Sequence, residues 1–141
     1  MSATVNQDLY VSQNDLARLR SLIQRVRGSD DRDTSYLDAL EARLDNAQPV
    51  RPRDVPRDVV TMNTRVCLRD PETGLQLTYT VVFPEDADPA QDKVSVLAPL
   101  GAALFGAHVG DRISWSTPNG EREMIVESIL YQPEAMGHYD L

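Results

Sequence analysis

Three carboxylates stand close together in a short polar stretch near the start of this chain. Asp30, Asp31 and Asp33 occur within four residues, and Arg32 lies among them. Carboxylate oxygens are ligands that Mg²⁺ prefers, so such a cluster could share an ion with a second site. The same residues suit a solvated turn, because Asp caps helices and tolerates turn geometry. We favour the solvated turn and predict no cofactor, with a shared Mg²⁺ as the alternative.

The other side chains that could do nucleophilic or metal chemistry stand alone. Cys67 is the only cysteine, so the sequence offers no internal disulfide and no multi-cysteine metal site. It lies in a strand-like run, which predicts a packed thiol. His108 and His138 have no ligand-like neighbours at helical or hairpin spacing. We therefore predict that the protein has no metal site and is not an enzyme.

The net charge of the chain indicates which class of molecule it binds. The 141 residues carry a formal net charge of -8, whereas proteins that bind nucleic acid through its phosphates need clustered Lys and Arg. No apolar stretch approaches the roughly 20 residues needed to span a bilayer. We expect a cytoplasmic protein whose partner is another protein, with no membrane contact and no direct sequence-specific binding of nucleic acid.

Two amphipathic segments predict helices in the first third of the chain. Ser12 and Asp15 have the spacing of a capping box, so a helix should begin near Gln13. Spacings of three and four residues define an apolar seam on each helix. The first seam is Leu16, Leu19, Ile23 and Val26, and the second is Leu37, Leu40, Leu44 and Ala47.

The two seams have the spacing of an antiparallel coiled-coil hairpin. If Leu19 faces Leu44, the residue numbers of every facing pair add to the same total, as an antiparallel pair requires. The turn then falls inside the polar stretch 28–34. The same pairing places Arg20 beside Glu41 and predicts an exposed ion pair worth at most about 1 kcal/mol.

Alternation and turn signals predict a β-rich unit in the rest of the chain. Strands are expected at 59–68, 75–83 and 94–97, and on both sides of the turn signal Asn119-Gly120. Pro99 should open a short helix that Gly106 closes. The predicted organisation is α+β, with a helical hairpin at 1–48, an extended proline-rich linker at 49–57 and a sheet domain with one short helix at 58–141.

Three segments of the predicted sheet domain resemble a known family. RDVVTMNTRV at 57–66, APLGAALFGAHVGDRISW at 98–115 and YQPEAMGHY at 131–139 are similar to the Rnk family, the regulators of nucleoside diphosphate kinase. The middle segment also resembles the C-terminal signature of the GreA and GreB transcript-cleavage factors. The similarity spans nearly all of 51–141.

This resemblance implies a fold and a partner. The sheet domain would be FKBP-like and would dock on bacterial RNA polymerase near its secondary channel, with the helical hairpin directed at that channel. By analogy, Ala98, Pro99, Leu100 and Gly101 would form the polymerase-binding segment. The hairpin is shorter than the coiled coil of Gre factors, so the expected function is competition with other channel-binding factors.

Three other interpretations stay open. The acidic residues at the hairpin tip could stimulate transcript cleavage, as in Gre factors. An FKBP-like domain could be a prolyl isomerase, but such sites need an aromatic-lined pocket and only 6% of the residues are aromatic. The seams could also pair between two chains as a dimerisation arm, although a monomer is expected.

Overall fold

The computed structural model describes residues 10–29, 35–45 and 47–137 and shows a mixed α+β fold around a curled sheet. Its elements in chain order are β1 (Tyr10–Ser12), α1 (Gln13–Ser29), α2 (Ser35–Asp45), β2 (Gln48–Val50), β3 (Arg65–Arg69), β4 (Gln76–Val82), β5 (Lys93–Ser95), α3 (Pro99–Leu104), β6 (Arg112–Thr117) and β7 (Gly120–Tyr131). Short 3-10 helices span Pro52–Asp54, Pro84–Asp86 and Pro89–Gln91. Within these described ranges, no helix combines the length and the apolar character needed to cross a bilayer.

The first helix begins where its capping residues predict. The backbone amide of Asp15 donates a 3.1 Å hydrogen bond to the Ser12 hydroxyl, which satisfies one of the free amides in the first turn. α1 starts at Gln13, directly after this cap. A local signal of four residues was therefore enough to fix this boundary.

A small parallel sheet brings the start of α1 beside the end of α2. β1 pairs with β2, with Tyr10 opposite Gln48. The Arg20 guanidinium then reaches the end of α2, where it donates to Asp45 Oδ1 at 3.0 Å and to the carbonyl oxygen of Leu44 at 3.3 Å. The predicted partner, Glu41, is one turn further from the end of α2, so the ion pair forms with Asp45 instead.

The apolar seams of both helices belong to the main core. Leu19, Ile23, Leu40 and Leu44 are buried in one cluster with residues of the large sheet. The side chain of Leu37 lies outside the described residues. Because the seams share their core with the sheet, the helices rest on the C-terminal part of the chain, as so short a pair of helices requires.

The stretch predicted as an extended linker has more structure than expected. Its beginning belongs to β2, which pairs with β1. It continues into the 3-10 helix Pro52–Asp54, where Arg51 Nε lies 3.1 Å from Asp54 Oδ2. The proline signals predicted a stiff segment but not its pairing partner, which lies near the start of the chain.

The large sheet has five strands in the order β5-β4-β3-β7-β6. β5 runs parallel to β4, and the other neighbours are antiparallel. On one face, Val66 and Leu68 of β3 are buried in the same core cluster as Leu104 and Phe105 at the end of α3. The opposite face carries the alternating polar positions of β3, beginning with the exposed Arg65.

The strand predicted at 59–68 is correct only in its second half. Asn63 has a left-handed backbone with a φ of 64°, which Asn tolerates better than most residues. A turn closes there, since the amide of Thr64 donates to the carbonyl oxygen of Thr61 at 3.1 Å. Val59 and Val60 bind a different segment, as the amide of Val60 donates to the carbonyl oxygen of Ala107 at 2.8 Å. The sequence did not predict this turn, because the β-branched side chains of Val59 and Val60 are typical of a strand.

The last hairpin turns one residue earlier than its strongest signal suggests. Thr117 pairs with Gly120, so the two loop residues are Pro118 and Asn119. The Thr117 hydroxyl accepts a 3.1 Å hydrogen bond from the amide of Asn119, and Gly120 has a φ of 111°. The glycine therefore serves as the first residue of β7, where only its backbone freedom permits this conformation.

Candidate functional site

The segment leading into α3 presents a narrow exposed edge. Ala98 is the N-cap of α3 in an extended conformation, and Pro99 follows as the first helical residue. Pro99 is exposed, Leu100 is half-buried against the core, and Gly101 is buried. Of the four predicted polymerase-binding residues, Ala98, Pro99 and Leu100 therefore retain accessible surface.

Gly101 has a packing role that its neighbours dictate. A Cβ atom at this position would overlap the carbonyl oxygen of Ser95. The same carbonyl accepts a 3.0 Å hydrogen bond from the amide of Ala98, and the Ser95 hydroxyl accepts one of 3.0 Å from the amide of Leu97. The glycine lets α3 pass directly over this tight turn, so its small size is required for the packing of α3.

Arg43 joins α2 to the other end of α3. Its guanidinium donates to the carbonyl oxygen of Ala102 at 2.8 Å and to that of Phe105. These carbonyls end a helix and have no partner within it, so a cation there satisfies them and complements the helix dipole. Burial lowers the pKa of Arg43, and the charge of Asp111 partly opposes this. Arg43 thus fixes α2 to α3.

The three segments that carry the family resemblance meet in space. The Gln132 side-chain amide donates to the carbonyl oxygens of Pro56 at 2.8 Å and Val59 at 2.7 Å. The amide of Gly106 donates to the carbonyl oxygen of Val60 at 2.7 Å. Much of the resemblance is therefore explained by hydrogen bonds that hold residues 56–60 between α3 and the end of β7.

A buried polar cluster extends this contact to α1. The Thr61 hydroxyl donates to Glu134 Oε1 at 2.7 Å, and Thr61 and Thr64 hydroxyls lie 2.8 Å apart. Glu134 in turn faces Asp15 in the first turn of α1. Burial raises the pKa of Asp15 to about 6, and the charge of Glu134 adds to the increase. Arg18 and the Ser12 hydroxyl act in the opposite direction.

A groove runs between α1 and the body of the protein. The Arg18 guanidinium lies 3.9 Å from the centre of the Phe83 ring, a cation–π contact. Arg18 and Arg25 line a groove of about 280 Å³ together with Phe83 and Glu85. α1 therefore lies along the body at least as far as Arg25, and Val26 is also packed against the core.

The remaining candidate side chains are not brought together. Cys67 is half-buried on β3, opposite Thr78. His108 Nδ1 is buried without a hydrogen-bond partner and lies 3.9 Å from Asp111 Oδ2, too far for a hydrogen bond. His138 lies outside the described residues. Among the residues that the structure describes, no group of three His, Cys, Asp or Glu side chains is arranged to hold a metal.

The predicted hairpin tip falls outside the part of the chain that the structure describes. This applies to Asp30, Asp31, Arg32 and Asp33. Sequence reasoning also missed three residues that organise the site, namely Arg43, Gln132 and Glu134. Their partners are 59 to 76 residues away in the chain, beyond the reach of local spacing.

Comparison with known proteins identifies relatives over nearly the whole chain. The GreA/GreB C-terminal domain of transcription elongation factors matches residues 55–131, and the Rnk N-terminus matches residues 7–50. The regulator of nucleoside diphosphate kinase of Escherichia coli strain K12 is 46% identical over 103 residues, covering 72% of this chain and 76% of that protein. The transcription inhibitor protein Gfh1 of Thermus aquaticus is 36% identical over 122 residues, covering 77% and 78%.

A solved structure has the same overall arrangement. The GreA/GreB transcription elongation factor from Nitrosomonas europaea superposes with a TM-score of 0.75 at 34% sequence identity. The match covers 88% of this chain and 98% of that one. These relatives are described as regulators and transcription factors rather than as enzymes.

Proposed function

Because this chain belongs to the family that joins an Rnk N-terminal region to a GreA/GreB C-terminal domain, we propose that it regulates transcription by binding bacterial RNA polymerase near the secondary channel. There it competes with other factors that use this channel. The observation that carries the proposal is the exposed Pro99 at the start of α3, a helix whose other end is fixed to α2 by Arg43. A docking segment and the paired helices are thereby held as one unit.

The proposal includes an antiparallel hairpin of α1 and α2 on an FKBP-like sheet domain. Two contacts support the hairpin, the pairing of β1 with β2 and the ion pair of Arg20 with Asp45. Both put the start of one helix beside the end of the other. A largely antiparallel sheet that packs one short helix, α3, on one face supports the FKBP-like arrangement.

The length of the free arm favours competition over catalysis. α1 packs on the core as far as Val26 and ends at Ser29, so little of the helix remains to enter a channel. Delivering a metal ion to a distant catalytic centre requires placement to within about 1 Å. An arm that stops short occupies the channel entrance and excludes competitors. The relation to a protein named a transcription inhibitor is consistent with this function.

Pro99 offers a direct test by pull-down with core RNA polymerase. Pro99→Glu places a charge on the docking edge, and Glu is tolerated in the first turn of a helix. Pro89→Glu is the matched control, because Pro89 is also exposed and also the first residue of a helical turn. We expect the Pro99 variant to bind at least tenfold more weakly and the control to bind normally. Failure of the unaltered chain to bind, or binding that excess Gre factor does not reduce, would refute the proposal.

Stimulation of transcript cleavage is the alternative, and the acidic tip sequence favours it. Under this alternative Asp30, Asp31 and Asp33 would hold Mg²⁺ at the polymerase active site, with Arg32 between them. RNA release from backtracked complexes distinguishes the two functions. We expect no release by the unaltered chain. Release that disappears when the three aspartates are replaced by Ala would establish cleavage instead.

We also propose that the protein acts as a monomer in the cytoplasm. Leu19 and Leu40 of the seams are buried within a single chain, which leaves little of their surface for a dimerisation arm. The net charge of -8 favours a protein partner over nucleic acid. A molar mass by light scattering of twice the chain mass would contradict the monomer.

A further inference from the structure

A row of polar side chains crosses the outer face of the large sheet. In β4, Thr80 pairs with Lys93 of β5 on one side and with Arg65 of β3 on the other. Arg65 in turn lies opposite Tyr131 of β7. Since neighbouring strands are about 4.8 Å apart, the backbones of Arg65 and Lys93 flank that of Thr80 at similar distances.

The row forms one wall of a pocket. Lys93, Thr80, Arg65 and Tyr131 line a cavity of about 530 Å³, whose other lining residues are Asn63, Val82 and Asp86. This volume is in the range of small-molecule sites. Polar groups from four strands converge here, and the half-buried Tyr131 supplies an aromatic ring.

The two cations of this pocket differ from Arg69 and Arg112, two other arginines of the sheet that are in ion pairs. Arg69 is paired with Glu127 at 2.6 Å and Arg112 with Glu123 at 2.9 Å. Neither Arg65 nor Lys93 has an ion-pair partner within the described part of the chain. In an acidic protein, two neighbouring cations without carboxylate partners create a local preference for an anion.

We propose that this pocket binds a small phosphate monoester that also carries hydroxyl groups, such as a sugar phosphate or a mononucleotide. The phosphate sits between Arg65 and Lys93, where the guanidinium donates two hydrogen bonds and the ammonium supplies a point charge. The Thr80 hydroxyl donates a further hydrogen bond from between them.

The carboxylate of Asp86 favours a ligand that has one phosphate group and several hydroxyl groups. Its carboxylate lines the same pocket and repels a second phosphate group, which disfavours polyphosphates. The same carboxylate accepts hydrogen bonds from sugar hydroxyls. The ring of Tyr131 provides the surface on which a sugar or a base rests.

This site is independent of polymerase docking. Arg65 lies on the face of β3 opposite the buried Val66, whereas α3 packs on the buried face. Loss of either function therefore leaves the other measurable.

Calorimetric titration of the full chain tests the site. The probes are ribose 5-phosphate, AMP and inorganic phosphate, with ribose as the uncharged control. We expect saturable binding of ribose 5-phosphate, at least tenfold weaker in Arg65→Gln and in Lys93→Gln, with no binding of ribose. Arg112→Gln, on the neighbouring β6, should bind normally. Tighter binding of AMP than of ribose 5-phosphate would identify the ligand as a nucleotide. Equal affinity would identify it as a sugar phosphate.

Two outcomes would overturn the proposal. One is the lack of saturable binding of either ester to the unaltered chain, and the other is unchanged binding in both pocket variants. Inorganic phosphate that binds as tightly as the esters would overturn the role of Asp86 and of the hydroxyl groups.

A second measurement needs no substitution. Lys93 is the only lysine of the chain, so an amine-reactive acylating reagent reports on this pocket through the mass of one peptide. We expect ribose 5-phosphate to slow acylation of Lys93 severalfold, and ribose to have no effect. An acylation rate that ribose 5-phosphate leaves unchanged would refute occupation of the pocket.

Discussion

The Thr61 hydroxyl donates a 2.7 Å hydrogen bond to the Glu134 carboxylate, and this buried contact joins two segments that are far apart in the chain. Glu134 also faces Asp15 at the start of α1. The attachment of the N-terminal helix to the sheet domain therefore includes two neighbouring carboxylates. Because burial and the charge of Glu134 raise the pKa of Asp15, the arrangement is sensitive to the protonation of Asp15.

Asp15 makes the stability of the protein depend on pH. Its pKa rises from 3.8 to about 6 on folding, so between these values the folded chain holds a proton that the unfolded chain has lost. The free energy of unfolding then falls as pH increases from 4 to 6, by up to about 3 kcal/mol at 1.36 kcal/mol per pKa unit. Asp15→Asn removes the cost of burying a charged carboxylate. We expect the variant to be more stable than the unaltered chain at pH 7.5 and to lose this advantage near pH 4 in urea unfolding.

Two controls accompany the Asp15 variant. Asp92→Asn removes an exposed carboxylate from a left-handed position that Asn also accepts. Glu134→Gln keeps an acceptor for Thr61 and removes the neighbouring charge, so it should lower the pKa of Asp15 as followed by carboxyl carbon chemical shifts. A stability difference for Asp15→Asn that stays constant from pH 4 to pH 7.5 would contradict the prediction.

Local signals in the sequence predicted local structure well. The cap formed by Ser12 and Asp15, the start of α3 at Pro99 and the approximate place of the last hairpin all depend on contacts within a few residues. The turn at Asn63 was not predicted, because Val59 and Val60 before it are typical of a strand. The pattern of side chains could not show that Val60 binds Ala107 rather than a neighbouring strand.

Long-range polar contacts were beyond sequence reasoning. Arg43 lies on a predicted helix, but nothing in its spacing indicates that it binds carbonyls of α3. The pocket at Arg65 and Lys93 exists because strand register aligns residues from four strands, and register depends on the whole sheet. Such contacts carry most of the geometry of the candidate sites.

Gly101 provides a test of the packing below the proposed docking segment. In Gly101→Ala the new Cβ overlaps backbone atoms of Ser95 and Val96, which cannot move as a flexible side chain would. We expect a loss of about 3 kcal/mol or more in unfolding free energy, in the range of severe core substitutions. Gly74→Ala is the control, because Gly74 has a φ of 78° and open space around it, so the cost should be about 1 kcal/mol. Equal costs at the two positions would contradict the overlap.

The ion pair of Arg20 with Asp45 should contribute little to stability. The two side chains are 44% and 59% exposed, so solvent screens their attraction. A double-mutant cycle with Arg20→Gln and Asp45→Asn should give a coupling energy below about 1 kcal/mol. A coupling of several kcal/mol would show that this contact does more than align the ends of the helices.

Arg43 should matter more than any exposed ion pair, because it is the side chain that joins α2 to the end of α3. Arg43→Met keeps much of the apolar stem but leaves the carbonyls of Ala102 and Phe105 without a donor. Hydrogen bonds to charged groups contribute about 1.5–3 kcal/mol each, and relief from burying the cation offsets part of this loss. We expect a net destabilisation of about 2–4 kcal/mol by urea unfolding.

Two further variants test this explanation. Arg43→Lys should recover only part of the lost stability, since one ammonium group lacks the planar geometry to reach both carbonyls. Arg53→Met, at an exposed arginine of the 3-10 helix, is the control and should change stability by less than about 0.5 kcal/mol. If Arg43→Met were as stable as this control, α2 would be held to α3 by apolar packing alone, and the proposed polymerase binding through Pro99 would not depend on Arg43.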